Sequence, residues 1–226
     1  MISAILPLSL LGAVLGLDTV SFPQAMLSRP LVSATLGGAL VGAPGNGLLV
    51  GAVLELIALE TLPFGASRYP EWGSASVVGG ALFASSARPV PGAMSLALLA
   101  ALATAWVGGW TMVRLRQRNG RWAAKAQPAL DAGARGTVIG LQLRGMTADL
   151  VRGALLTAIA VVVFAPINEA SLAVWSIDAR ESRAVTIGLA LSVAVAASWK
   201  LLHASIPARW LFVAGLAAGF ALTGTL

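Results

Sequence analysis

Glu55 and Glu60 stand inside GLLVGAVLELIALETLPFGASRYPEWG, residues 47–73. A carboxylate in so apolar a segment is costly unless it is paired, hydrogen-bonded or wetted. On a continuous helix five residues turn through about 500°, which leaves the two side chains about 140° apart. They cannot form a paired-carboxylate site on one helical face, so each needs its own explanation. For Glu55 two readings stand: satisfaction by a neighbouring helix end or by Arg29 or Arg68, or hydrogen bonding to the hydroxyls of a polar solute. Glu60 lies three residues before Pro63, at the end of the segment and closer to solvent. Asp18, Gln24, Ser28 and Arg29 follow the first apolar run, and Pro23 and Pro30 bracket the last three in irregular backbone. Arg29 there either reaches out to headgroups or joins a solute site. Residues 65–73, with Arg68, Tyr69, Glu71 and Trp72, offer donors, acceptors and aromatic faces. Such a set suits a sugar, and equally an interfacial aromatic belt. Asn46, in a Pro-Gly-Asn-Gly stretch, is a further candidate.

These residue types support binding rather than catalysis. The chain has no cysteine and a single histidine, His203, so a thiolate or multi-histidine metal centre is excluded. There is no Ser/His/Asp arrangement and no Walker-type glycine loop. His203, beside Lys200 and Arg209, reads as an interfacial residue. No cofactor is implied.

The elements that must position these side chains belong in a membrane. Of 226 residues, 58% are hydrophobic and 11% charged, with a mean hydropathy of +0.85. Soluble domains carry about 25% charged residues, so an all-α integral membrane protein is expected. A pI near 11.3 raises nucleic acid as a partner. The basic residues, however, cluster between apolar runs, as the positive-inside rule requires, and nothing else supports nucleic acid. The apolar runs 94–113, 150–166, 184–199 and 210–226 approach the roughly 20 residues that span a bilayer. The first third differs. Its runs, 2–17, 31–43 and 47–63, are short, and the last two read as short helices meeting at a turn over 44–47, a re-entrant hairpin or broken helix. The first run lacks a basic leader and a small-residue cleavage site, so a cleavable signal peptide is not expected.

One membrane domain, 1–226, is therefore expected, with a hairpin region over 1–92, a transmembrane helix over 93–113, a basic amphipathic loop over 114–149 and further transmembrane helices over 150–226. Seven basic residues from Arg114 to Arg144 face only Asp131 and Asp149, which puts that loop in the cytoplasm, with Trp122 at the interface and Pro128 as an interruption. The balanced segment 168–183 then faces outward and the C-terminus lies outside. The glycine pairs Gly12/Gly16, Gly38/Gly42 and Gly47/Gly51 read as close helix contacts.

The motifs also carry a resemblance. Gln24-Ala25-Met26-Leu27-Ser28-Arg29-Pro30, then Gly47 through Glu55, then Gly65-Ala66 with Pro70-Glu71, resemble in order and spacing the enzyme IIC subunit of the mannose/fructose/sorbose family of the bacterial sugar phosphotransferase system. The likeness is specific over residues 16–80 and looser beyond. It implies a multi-pass subunit of the bacterial plasma membrane that translocates a hexose by alternating access. It implies as partners the membrane subunit IID and the cytoplasmic IIA and IIB proteins, which phosphorylate the sugar as it arrives. It also implies a site near Glu55, Gln24, Ser28, Arg29, Arg68 and Glu71, with Glu55 at the translocation site or locking the hairpin that shapes it. Glu71 stands where Asp is common in the family, and Glu60 where a neutral residue is expected. Many members carry a further apolar segment after the position of Leu226. These departures leave a second reading open: a regulatory or sugar-sensing component that keeps the fold without transport.

Overall fold

The computed structural model describes residues 2–19, 21–60, 68–86, 92–202 and 206–223. Among the described residues the regular structure is entirely helical. A short 3-10 turn, Ile2–Ala4, leads into α1, Ile5–Asp18. Next come α2, Pro30–Leu40; α3, Pro44–Glu60; and α4, Trp72–Ala84. Two long helices, α5, Ala93–Lys125, and α7, Arg135–Ala173, flank the short α6, Gln127–Asp131. Helices α8, Ala179–Leu202, and α9, Ile206–Thr223, complete the order.

Among the described residues each run expected from the sequence falls mainly on one of these helices, but two boundaries move. The turn between α2 and α3 falls at Val41–Ala43, where Gly42 takes a φ of +89°. Pro44-Gly45-Asn46-Gly47 is instead the first turn of α3, because a proline at a helix start loses no hydrogen bond and arrives with φ already helical. The basic stretch 114–149 is not a loop. Residues 114–125 continue α5 and 135–149 open α7. Pro128 lies in the first turn of α6, after α5 has ended. At 1.5 Å per residue α5 and α7 are about 50 and 58 Å long, well beyond the ~30 Å hydrocarbon core. Both are long and apolar enough to cross a membrane. Their basic ends project past the apolar stretches.

Small residues determine how closely the elements approach. A Cβ on Gly47 would lie 2.2 Å from the Ala34 carbonyl oxygen, and one on Gly51 would lie 2.8 Å from that of Pro30. α2 and α3 therefore pack backbone against backbone. Of the six glycines in the three pairs, only Gly42 would leave an added Cβ with nothing within 4 Å, since it forms the turn. α4 is the hub. Val77 and Gly80 abut Gly37 and Ala34 of α2, while Val77, Val78, Ala81 and Leu82 join Leu8 and Leu15 of α1 and Ala160 and Val161 of α7 in the core. Val50 and Leu54 of α3 pack on Leu98 and Ala101 of α5. Leu6, Leu10 and Val14 of α1 and Leu155, Ile159 and Val162 of α7 point outward, as helices facing lipid do.

Candidate functional site

The site is built around the open end of the α2–α3 hairpin. α2 starts at Pro30 behind an extended Arg29 that supplies no side-chain cap of its own. The cap comes from the other arm: the Leu31 N–H donates to Glu55 Oε2 at 3.1 Å, and the Arg29 guanidinium donates to Glu55 Oε1 in an ion pair. A carboxylate at a helix N-terminus also meets the positive end of the helix dipole. Glu55 is thus bound on both oxygens and keeps its side chain only 20% exposed. Its geometry is that of a clasp holding the two arms together.

The loop from Thr19 to Arg29 runs from α1 to that clasp. Asp18, buried at the end of α1, accepts the N–H groups of Ala25 at 2.7 Å and Ser28 at 2.8 Å. Gln24 and Met26 take φ values of 58° and 61°, a left-handed conformation unfavourable for residues with a Cβ. The same loop reaches α7, where the Ser21 hydroxyl donates to Asp149 Oδ2 at 3.0 Å and Asp149 Oδ1 accepts from Arg152 Nε at 2.8 Å. Polar contacts therefore run from Arg152 through Asp149 and the loop to Asp18, Arg29 and Glu55.

A second polar layer lies deeper, between α1, α4, α5 and α7. Glu71 caps α4, accepting the Ser74 N–H on Oε1 at 3.1 Å. Its Cβ side presses on Gly108 of α5 and its backbone N–H donates to the Ala105 carbonyl at 3.0 Å. Glu71 is 1% exposed, yet Oε2 has no hydrogen-bond partner. Ser74 Oγ donates to the Gly12 carbonyl at 3.1 Å. Ser74 Oγ and Arg152 Nη2 both approach Gly16, lying 3.2 and 3.3 Å from where a Cβ would stand. The Arg152 side chain is 8% exposed, and both its terminal nitrogens are buried without partners, as is Thr157 Oγ1 one turn along. Buried polar atoms are almost always satisfied. An acceptor, guanidinium donors and a hydroxyl are thus left without partners among the elements of this layer.

The remaining candidates separate. Arg68 does not reach Glu55; its guanidinium lies 4.6 Å over the Trp106 ring and donates to the Trp106 carbonyl at 3.4 Å. Asn46 sits in the first turn of α3, nine residues from Glu55 and at the opposite end of the hairpin. Gln24 and Ser28 belong to the constrained loop. The side chain of Glu60, with His203 and residues 61–67, lies outside the described residues. Among the described residues no three His, Asp or Glu side chains converge as metal ligands. Asp149, Arg152, Ser74 and Thr157 were not identified from the sequence. One signal for two of them was present: an acid and a base three residues apart, at the start of the apolar run 150–166.

The family described as PTS system sorbose-specific IIC component matches residues 1–176. A sorbose-specific EIIC component of the phosphotransferase system from Lacticaseibacillus casei is 33% identical over 67 residues, which are 30% of this chain and 24% of that protein. The chain thus spans about a quarter of that relative's length. A solved structure described as a membrane protein superposes with a TM-score of 0.76, and a complex of the mannose transporter ManYZ with a microcin with 0.62. Each covers 97% of this chain and 87% of the other, at 18% identity, so the likeness concerns the fold.

Proposed function

Because this chain belongs to the family of sorbose-specific IIC components of the sugar phosphotransferase system, we propose that it is the subunit that moves a hexose inward across the bacterial plasma membrane. Phosphoryl transfer is then the work of soluble IIA and IIB partners, and IID completes the membrane assembly. The observation that supports this reading is the set of buried groups left without partners, Glu71 Oε2, the Arg152 terminal nitrogens and Thr157 Oγ1. An uncharged polyol supplies both the hydroxyl donors that Glu71 Oε2 lacks and the oxygen acceptors that the Arg152 nitrogens lack. Leaving such groups unmade inside a protein costs about 1–3 kcal/mol each, which a bound sugar recovers. A rival solute without matching hydroxyls does not.

In this reading Glu55 shapes the site without touching the sugar. The hairpin it clasps is joined to α7 through the 19–29 loop, so motion of α2 and α3 against α1, α5 and α7 alters access to the layer between them. Arg29, Gln24 and Ser28 act through that loop, and Arg68 through the position of Pro70 and Glu71.

The test is equilibrium binding of labelled hexoses to the purified protein, with uptake measured in parallel. Glu71→Gln is expected to abolish binding in a protein that still elutes as a single species. Glu55→Gln is expected to retain binding per folded molecule. The reverse pattern, binding lost with Glu55→Gln and kept with Glu71→Gln, would move the site to the hairpin mouth.

A further inference from the structure

A second feature lies on the outer side of Arg152. α5 presents Arg114, Arg118 and Arg121 at spacings of four and three, which places all three on one helical stripe. Opposite them, α7 presents Arg152 and Leu155. Between the two helices is an open cleft of about 420 Å³ lined by these residues. Its charge is one-sided. Asp149 is the nearest acid on α7, and it is already committed to Arg152 and Ser21. Among the described residues the only ion pairs are Arg29–Glu55 and Arg152–Asp149, so Arg114, Arg118 and Arg121 face no carboxylate. Arg114 rests 5.0 Å over the Trp110 ring, and Arg121 spends only Nε, on the Gln117 carbonyl at 3.4 Å. Most of their N–H groups remain open.

Three exposed arginines of α5 thus converge with the ion-paired Arg152 on one cleft that offers no free carboxylate among the described residues. We propose that this cleft is a phosphate-binding site. Guanidinium forks match the oxygens of a phosphate two at a time, and the cleft is large enough for the group together with part of what it is attached to. Arg114 directly follows Val113, where the apolar stretch of α5 ends. That puts the cleft at the level where hydrocarbon gives way to headgroups. The phosphate belongs either to an anionic phospholipid, whose chain would run along the exposed Leu155, Ile159 and Val162 of α7, or to a soluble phosphate monoester. The site rests on the three α5 arginines, with Arg152 at its inner border, and does not depend on the sugar reading.

The experiment separates the sources. Purified protein in mild detergent is offered phosphatidylglycerol or phosphatidylcholine and weighed by native mass spectrometry. In parallel it is titrated with inorganic phosphate and with glucose 6-phosphate by calorimetry. Phosphatidylglycerol retained at about fivefold or more over phosphatidylcholine identifies the lipid source, and saturable heats with the soluble phosphates identify the other. Either result supports the site only if Arg118→Gln with Arg121→Gln removes it while Lys125→Gln with Arg135→Gln, an equal loss of charge outside the cleft, does not. Equal weakening by both pairs would mean general attraction to a basic surface and overturn the proposal. So would the absence of binding in every arm.

Discussion

Two carboxylates in apolar surroundings end up in opposite conditions. Glu55 lies at the hairpin mouth with both oxygens engaged, by Arg29 and by the Leu31 N–H, and a fifth of its side chain still exposed. Glu71 lies between four helices, 1% exposed, with one oxygen bound to the Ser74 N–H and the other to nothing. A carboxylate whose bonds are complete stabilises the backbone around it and has little left for a ligand. One held rigid with an open oxygen is prepared to accept a hydroxyl at small reorganisation cost. In the proposed function Glu55 therefore belongs to the architecture and Glu71 to recognition.

Substitutions can break or sharpen that division. The largest effect is expected from Gly47→Leu, because a Cβ there already collides with the Ala34 carbonyl oxygen at 2.2 Å. The hairpin cannot close around it, and size-exclusion chromatography should show no monodisperse protein. A normal elution profile would mean that the hairpin is not needed for the fold. Next comes Glu71→Gln, expected to lower hexose uptake by at least about tenfold, equivalent to ~1.4 kcal/mol, at unchanged membrane abundance. Uptake near that of the unaltered protein would remove Glu71 from the site.

Smaller consequences follow at the clasp. Glu55→Gln keeps an acceptor for the Leu31 N–H but loses the ion pair with the part-exposed Arg29, so a loss of about 1 kcal/mol in unfolding stability is expected. Thermal unfolding in detergent reads this directly, and an effect on uptake larger than that on stability would return Glu55 to the site. Ser21→Ala removes one hydrogen bond between the loop and Asp149, worth about 0.5–1.5 kcal/mol. The smallest change belongs to the projecting ends of α5 and α7. There Arg144 lies 3.9 Å over the Trp122 ring, and Arg144→Gln should cost roughly 0.5–1 kcal/mol without altering hexose binding.

The short apolar runs and the low charge identified a helical membrane protein, and the Ser28-Arg29-Pro30 and Glu55 motifs identified its family. Those features are local: run length, proline and glycine positions and residue type can be read along the chain. The same local reading started the turn three residues late, because Pro44 looks alike as a turn residue and as the first residue of a helix. It also took the basic stretch for a loop, since charge marks where a chain leaves hydrocarbon and not where its helix stops.

What the sequence by itself determined was therefore the class of protein, the family, and a set of candidate polar residues that holds Glu71 but not Arg152. Only the tertiary structure decided which of them have their bonds complete. Arg29 and Glu55 are 26 positions apart and Ser21 and Asp149 are 128 apart, and nothing in the residues between announces either pairing. Arg152 reads along the chain as one more basic residue at the edge of an apolar run. It enters the proposed site because packing brings its guanidinium and the Ser74 hydroxyl to Gly16 of α1. Hydrogen-bond satisfaction is a property of partners brought together by packing, and so it is settled only when the helices meet.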